Sequence, residues 1–188
     1  MDKAKVTPIS FAMESGLYLG LYNIIQLGLL ILICKFWKEY FNLFSPLSFL
    51  LFFLSIFFHI LLYKSSKKFR NEVLDGSISF FEGWNVSILT YFFSGLISGA
   101  FIFFYTKFFD SRFIIELNAQ IIKLFYQFTN YFSTPNNKII ILTYIKDLSL
   151  KRLPSEIEMA INQIRGNISI GFFISLIISA ILIRKKKI

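Results

Sequence analysis

The stretch FFEGWNVSILTYFFSGLISGAFIFFYT, from Phe80 to Thr106, decides the fold class. As a helix it extends for roughly 40 Å at 1.5 Å per residue, more than the ~30 Å hydrocarbon core of a bilayer. Its one carboxylate, Glu82, lies at the start, and no Lys or Arg interrupts it. Three further apolar runs, Phe11–Cys34, Phe44–Tyr63 and Gly166–Ile183, have the length and composition of spans. The expectation is an all-α, polytopic four-helix transmembrane bundle, a single integral membrane domain over residues 1–188 with spans about 11–34, 44–63, 80–106 and 166–183.

Composition agrees. The chain is 55% hydrophobic with a mean hydropathy of +0.62, too apolar for a soluble domain of this size. A formal charge of +9 would point to nucleic acid in a soluble protein. Here the basic residues crowd beside the apolar runs, as Lys64, Lys67, Lys68 and Arg70 and again as Arg184 to Lys187. Such flanks fix orientation and meet anionic headgroups, so the lipid bilayer is the expected partner and nucleic acid is not. With the middle of the long loop discounted, the basic residues place both termini in the cytoplasm. Cys34 is alone, which excludes an internal disulfide and a Cys-based metal site. The run after Met1–Ile9 is too long for a signal peptide and is closed by Lys35–Lys38, so it reads as a retained first span.

Helix starts are marked by Thr7-Pro8, Ser45-Pro46 and the capping-box pair Ser79 and Glu82. Trp37, Tyr40, Tyr63 and Trp84 stand where interfacial aromatics belong. The connection 107–165 reads as an amphipathic helical extramembrane segment on the outer face. Ile114, Leu117, Ile121, Leu124, Phe125, Phe128 and Tyr131 form one apolar stripe at helical spacing. Thr134-Pro-Asn-Asn137 breaks that helix. The next apolar stretch, Ile139–Leu150, is too short and too closely flanked by charge for a fifth crossing. A third segment opens on the capping box Ser155-Glu-Ile-Glu158 and runs into span four.

Ionisable groups inside a membrane are costly and become functional candidates by default. The chain offers Glu14, His59 and Glu82, with Asn23, Gln26 and Asn85 as polar companions. All three ionisable residues fall near the cytoplasmic ends of their spans, where convergence would make a polar cluster able to relay protons or hold a cation. The plainer readings are that Glu82 completes its capping box, Glu14 pairs with a nearby Lys, and His59 reaches the headgroups. Catalytic constellations are thin. There is no HExxH, CxxC, G-x-S-x-G, P-loop or glycine-rich dinucleotide pattern, so neither an enzyme nor a cofactor is expected. Asp110, Glu116, Asp147, Glu156 and Glu158 resemble a solvated helix face.

Small residues recur at helical spacing: Gly16 and Gly20 in span one, Gly95 and Gly99 in span three (with Ser94 and Ser98), and Gly171, Ser175 and Ser179 in span four. Such faces let helices approach closely, either within one bundle or across a homo-oligomer or partner interface. Both readings leave the Phe-rich second span more exposed to lipid. The sequons at Asn85 and Asn167 lie at or inside spans and are discounted, and Lys185–Ile188 reads as a cytoplasmic stop.

The elements Ser15-Gly-Leu-Tyr-Leu-Gly20, Asp75-Gly-Ser-Ile-Ser-Phe80 and Glu82-Gly-Trp-Asn-Val-Ser, with a last span closing on Arg184-Lys-Lys, resemble the domain of unknown function 4199 family. These are small four-span membrane proteins found chiefly in bacteria of the Bacteroidota. The resemblance implies a four-span topology over nearly the whole chain and a place in the bacterial inner (cytoplasmic) membrane. It brings no activity, ligand or catalytic residue. Its most specific element, Gly76, Ile78, Ser79 and Phe80, makes physical sense as the turn that leads the chain into the membrane. Gly76 permits a tight backbone, Ser79 caps the helix, and Phe80 and Phe81 seat in the interface.

The expected function is therefore a non-enzymatic accessory or partner-binding membrane component, working through a membrane protein partner or self-association. The alternative is a small oligomeric transporter or channel component using Glu14, His59, Glu82, Asn23 and Gln26. Geometry separates the two: transport needs the polar residues of span one on an internal cavity, and a scaffold needs them enclosed and satisfied.

Overall fold

A computed structural model describes residues 6–36, 46–131, 135–150 and 152–183. Six helices account for them: α1 (Pro8–Phe36), α2 (Pro46–Glu72), α3 (Phe80–Phe108), α4 (Phe113–Tyr131), α5 (Pro135–Leu150) and α6 (Glu156–Leu182). Four of these, α1, α2, α3 and α6, are long and apolar enough to cross a membrane. The interfacial aromatics Trp37 and Tyr40, the cap residue Ser45, Thr134 of the helix break and the terminal basic run from Arg184 lie outside the described residues.

The helices begin where side chains can satisfy the free N–H groups of a first turn. Thr7 and Ser10 exchange bonds ahead of α1: Ser10 N–H donates to Thr7 Oγ1 at 3.2 Å, and Thr7 N–H to Ser10 Oγ at 3.0 Å. Both α3 and α6 open on complete capping boxes, Ser79 with Glu82 and Ser155 with Glu158. Two helices exceed the spans read from hydropathy. α2 continues through Lys64–Arg70 to Glu72, because nothing there breaks a helix until the turn at Gly76. α6 begins at Glu156 and passes through Gly166 without interruption, since one glycine weakens a helix by about 1 kcal/mol but does not end it.

α3 is the axis of the bundle, with extensive contacts to α6 and α1, while α2 lies on the outside of α1. The α3–α6 pair is antiparallel, and its register is set by residues four apart. Gly99 meets Ala160 and Ile164, Gly95 meets Asn167, Tyr91 meets Gly171, and Gly83 meets Ser179. The α1–α3 pair is parallel, with Gly16 against Phe93 and Gly20 against Ile97. These glycines admit no Cβ: one built at Gly16 would lie 2.5 Å from Phe93 Cβ, and one at Gly99 would lie 3.0 Å from the Ala160 carbonyl. The small-residue faces of α1, α3 and α6 are thus used within the chain, and α2 is the least buried of the four long apolar helices.

At one end of the bundle, α4 closes over the tips of α1 and α3. Phe113 is buried with Ile31, Cys34 and Ile102, and Leu117 packs beside them. α5 rests on α4 through contacts such as Phe125 with Tyr144, leaving Ile139, Ile140 and Tyr144 exposed. At the other end, the α2–α3 turn holds Asp75 at φ 51° and Gly76 at φ 84°, the left-handed region that glycine enters at least cost. Gly76 N–H donates to the Arg70 carbonyl at 2.8 Å, and Ile78 tucks into the core. Of the two phenylalanines after the cap, Phe80 is half-buried and Phe81 is exposed.

Candidate functional site

Among the described residues no hydrogen bond or ion pair joins the three ionisable candidates to one another. Glu82 is held in its capping box: Ser79 N–H and Oγ donate to Glu82 Oε2 at 2.8 and 2.7 Å, and Glu82 N–H donates back to Ser79 Oγ at 3.3 Å. His59 Nδ1 shares a 2.7 Å hydrogen bond with the hydroxyl of Tyr91, which lies roughly 17 Å into α3 at 1.5 Å per residue. Glu14 is exposed on the second turn of α1 and makes no ion pair among the described residues. His59 lies about 20 Å along α2 from the end of that helix at Glu72.

What the structure does assemble is a polar seam between α1, α3 and α6. Asn23 Nδ2 donates to Ser94 Oγ at 3.0 Å and to Asn167 Oδ1 at 3.4 Å. Asn167 Nδ2 donates to Ser98 Oγ at 3.3 Å, and Gln163 Nε2 reaches the same hydroxyl at 3.4 Å. Ser94 and Ser98 are fully buried and Asn23 nearly so. In an apolar surrounding each amide must find a partner inside the protein, and the close approach created by Gly95 and Gly99 brings those partners into range. A second set of hydroxyls ties α2 to its neighbours. Ser65 Oγ donates to Ser15 Oγ at 2.7 Å, and the hydroxyls of Ser66 and Ser87 lie 2.9 Å apart.

Two cavities lie away from this seam. One, of about 290 Å³, is a groove between α1 and α2 whose charged and polar lining is Glu14, Ser15, Lys64, Ser65 and Lys68. Phe11, Tyr18, Leu19 and Leu61 give it an apolar side. The other, of about 590 Å³, lies between α4, the α5–α6 connection and α6. Arg152, Arg165, Asn118, Asn162 and Glu158 line it, with Arg152 and Glu158 in an exposed ion pair at 3.6 Å. Neither lining includes a member of the seam.

A family model described as protein of unknown function (DUF4199) matches residues 14–184. The chain belongs to the DUF4199 family. The match takes in α1 from Glu14 onward and the whole of α2 to α6. No curated protein and no solved structure matches the chain. Family membership and the four apolar helices together suggest a multi-pass membrane protein.

Sequence reasoning missed Asn167, which was set aside as an accidental sequon. A signal was present: Asn167, Gly171, Ser175 and Ser179 are spaced by four, so the asparagine continues the small face of α6. It also missed the groove at Glu14. Lys64 and Lys68 become one face of it only because α2 stays helical beyond Tyr63.

Proposed function

We propose that this DUF4199 protein is a non-enzymatic component of the bacterial inner (cytoplasmic) membrane. Both termini are cytoplasmic, and it acts through contact with another membrane protein. The observation that carries the reading is the closed state of the seam. Asn23, the best placed polar residue of span one for a pathway, is buried and bonded to Ser94 and Asn167. A transporter or channel component would present that amide to a cavity, whereas here it is enclosed and bonded. The small-residue faces are already occupied within the chain, so a partner has to use other surfaces. The α4–α5 segment, with its exposed Ile140 and Tyr144, is the outer-face surface on offer. The cytoplasmic placement of the termini rests on the basic residues Lys64, Lys67 and Lys68 of α2, held at the same end as the start of α1.

The test is photo-crosslinking in native membranes from probes at Ile140 and Tyr144, with a probe at Ser98 as an internal control. Mass determination of the extracted complex follows. A stoichiometric second protein captured from α5 and not from Ser98 supports the reading. Monomer alone at every α5 position overturns it, and a defined homo-oligomer would favour transport.

A further inference from the structure

The groove between α1 and α2 has a charge arrangement that the described residues leave unanswered. Glu14 on one wall faces the same space as Lys64 and Lys68 on the other, yet neither lysine is within ion-pair distance of it. Lys64 and Lys68 are one helical turn apart and so share a face of α2. Among the described residues Lys68 pairs with Glu72, in an exposed contact of 3.8 Å that holds it weakly. Beneath them the Ser65–Ser15 bond of 2.7 Å fixes the spacing of the two helices and gives the groove a polar floor. Tyr18 and Leu61 continue the wall as apolar surface toward the spans. Opposite charges held apart over a cavity call for a ligand that carries both signs. At this level of a membrane protein, beside the end of a basic span, phospholipid headgroups are the abundant ligand.

We propose that the groove seats one phospholipid whose headgroup carries a primary ammonium, as in the phosphatidylethanolamine class. Its phosphate lies between the Lys64 and Lys68 ammonium groups, its own ammonium lies on the Glu14 carboxylate, and its glycerol and upper acyl chain run along Tyr18 and Leu61. A carboxylate only accepts hydrogen bonds, so it selects a headgroup with N–H donors over a quaternary ammonium, which has none. An anionic lipid without the ammonium satisfies the lysines but leaves Glu14 without a cationic partner. The assignment stands apart from the partner-binding reading, because the groove is at the opposite end of the bundle from α4 and α5.

The experiment is reconstitution of the full chain into nanodiscs of equal parts phosphatidylethanolamine, phosphatidylglycerol and phosphatidylcholine. Retained lipids are then counted by native mass spectrometry after gentle release. The expected result is one tightly retained phosphatidylethanolamine, enriched on the order of tenfold over phosphatidylcholine, the ratio that one charge-assisted bond supplies. Glu14→Gln removes that enrichment and raises the share of phosphatidylglycerol, while Lys64→Gln with Lys68→Gln removes retention of both. Glu14 and both lysines are exposed, so the variants fold, and the melting temperature of each in detergent checks this directly. Retention in proportion to the bulk mixture overturns the proposal. So does preference for phosphatidylglycerol or phosphatidylcholine in the unaltered chain, or a phosphatidylethanolamine preference that survives Glu14→Gln.

Discussion

Gly171 of α6 lies against the ring of Tyr91 of α3, so close that a Cβ on the glycine would stand 2.5 Å from Tyr91 Cγ. The same tyrosine gives its hydroxyl to His59 of α2 at 2.7 Å. One residue therefore joins three helices, and its position depends on the absence of a side chain on the fourth residue before Ser175. Tyr91 is 1% exposed, so the ring has no room to retreat.

Gly171→Ala is expected to destabilise the bundle by about 1–3 kcal/mol, the usual cost of forcing a methyl group into a filled core. Gly28→Ala is the matched control. Gly28 is also mid-helix, but nothing lies within 4 Å of the added Cβ, so the gain in helix propensity is all that remains. Thermal unfolding in detergent should show a fall in Tm for the first and no fall for the second. Equal behaviour of the two would mean that the α3–α6 contact is looser than the structure has it.

Glu82 is expected to act as a cap and nothing more. Ser79→Ala and Glu82→Ala each remove bonds of the same box and should each cost about 1 kcal/mol, with the double variant costing less than the sum. Glu82→Gln keeps an acceptor for the Ser79 N–H and should cost less than the alanine. Hydrogen exchange at the start of α3 reads this directly, with faster exchange at the residue-82 amide in Ser79→Ala and at the Ser79 amide in Glu82→Ala.

The small-residue spacing and the capping patterns made the spans and their tight faces legible, because both are local properties of a helix. Gly95 and Gly99 could only serve a close helix neighbour, and Ser79 with Glu82 could only begin a helix. Partners across helices were not legible in the same way. That Asn23 would find Ser94 and Asn167 depends on the vertical offset between α1, α3 and α6, which no single run of sequence encodes. The bond between His59 and Tyr91 depends in the same way on the offset between α2 and α3. Hydropathy ends a span at the first lysines, whereas the backbone of α2 stays helical as far as Glu72. The groove at Glu14 follows from that same continuation.

Asp110 carries two duties at the junction of α3 and α4. Its carboxylate pairs with Lys35 at 3.3 Å, tying the end of α1 to the end of α3, and its Oδ1 accepts the Arg112 N–H at 3.2 Å in an Asx turn that starts α4. Lys35→Ala removes only a partly exposed pair and is expected to change stability by less than about 1 kcal/mol. Asp110→Ala removes the turn as well and should cost clearly more, with Asp110→Asn in between because the amide oxygen still accepts. Faster hydrogen exchange at Arg112 and Phe113 in Asp110→Ala, but not in Lys35→Ala, would separate the two contributions. Equal exchange in both would assign the whole effect to the ion pair.

The seam offers the sharpest test of whether the interior is a sealed joint or a route. Asn23 Nδ2 and Ser94 Oγ, 3.0 Å apart, suit a double-mutant cycle with Asn23→Ala and Ser94→Ala. Interhelical hydrogen bonds of this kind in membrane proteins couple by about 0.6 kcal/mol, with a ceiling near 1.7. A coupling in that range is the expected result, and Asn167→Ala should lower it, because Asn167 accepts from the same amide at 3.4 Å. Asn23→Leu then discriminates between the roles. It replaces the amide with an apolar side chain of similar size, so a sealed joint loses stability while cellular function persists at the permissive temperature. A route would lose function with little change in stability. Water accessibility of a cysteine at position 23 gives a third readout, and slow modification from both sides of the membrane is expected, since Asn23 is 8% exposed.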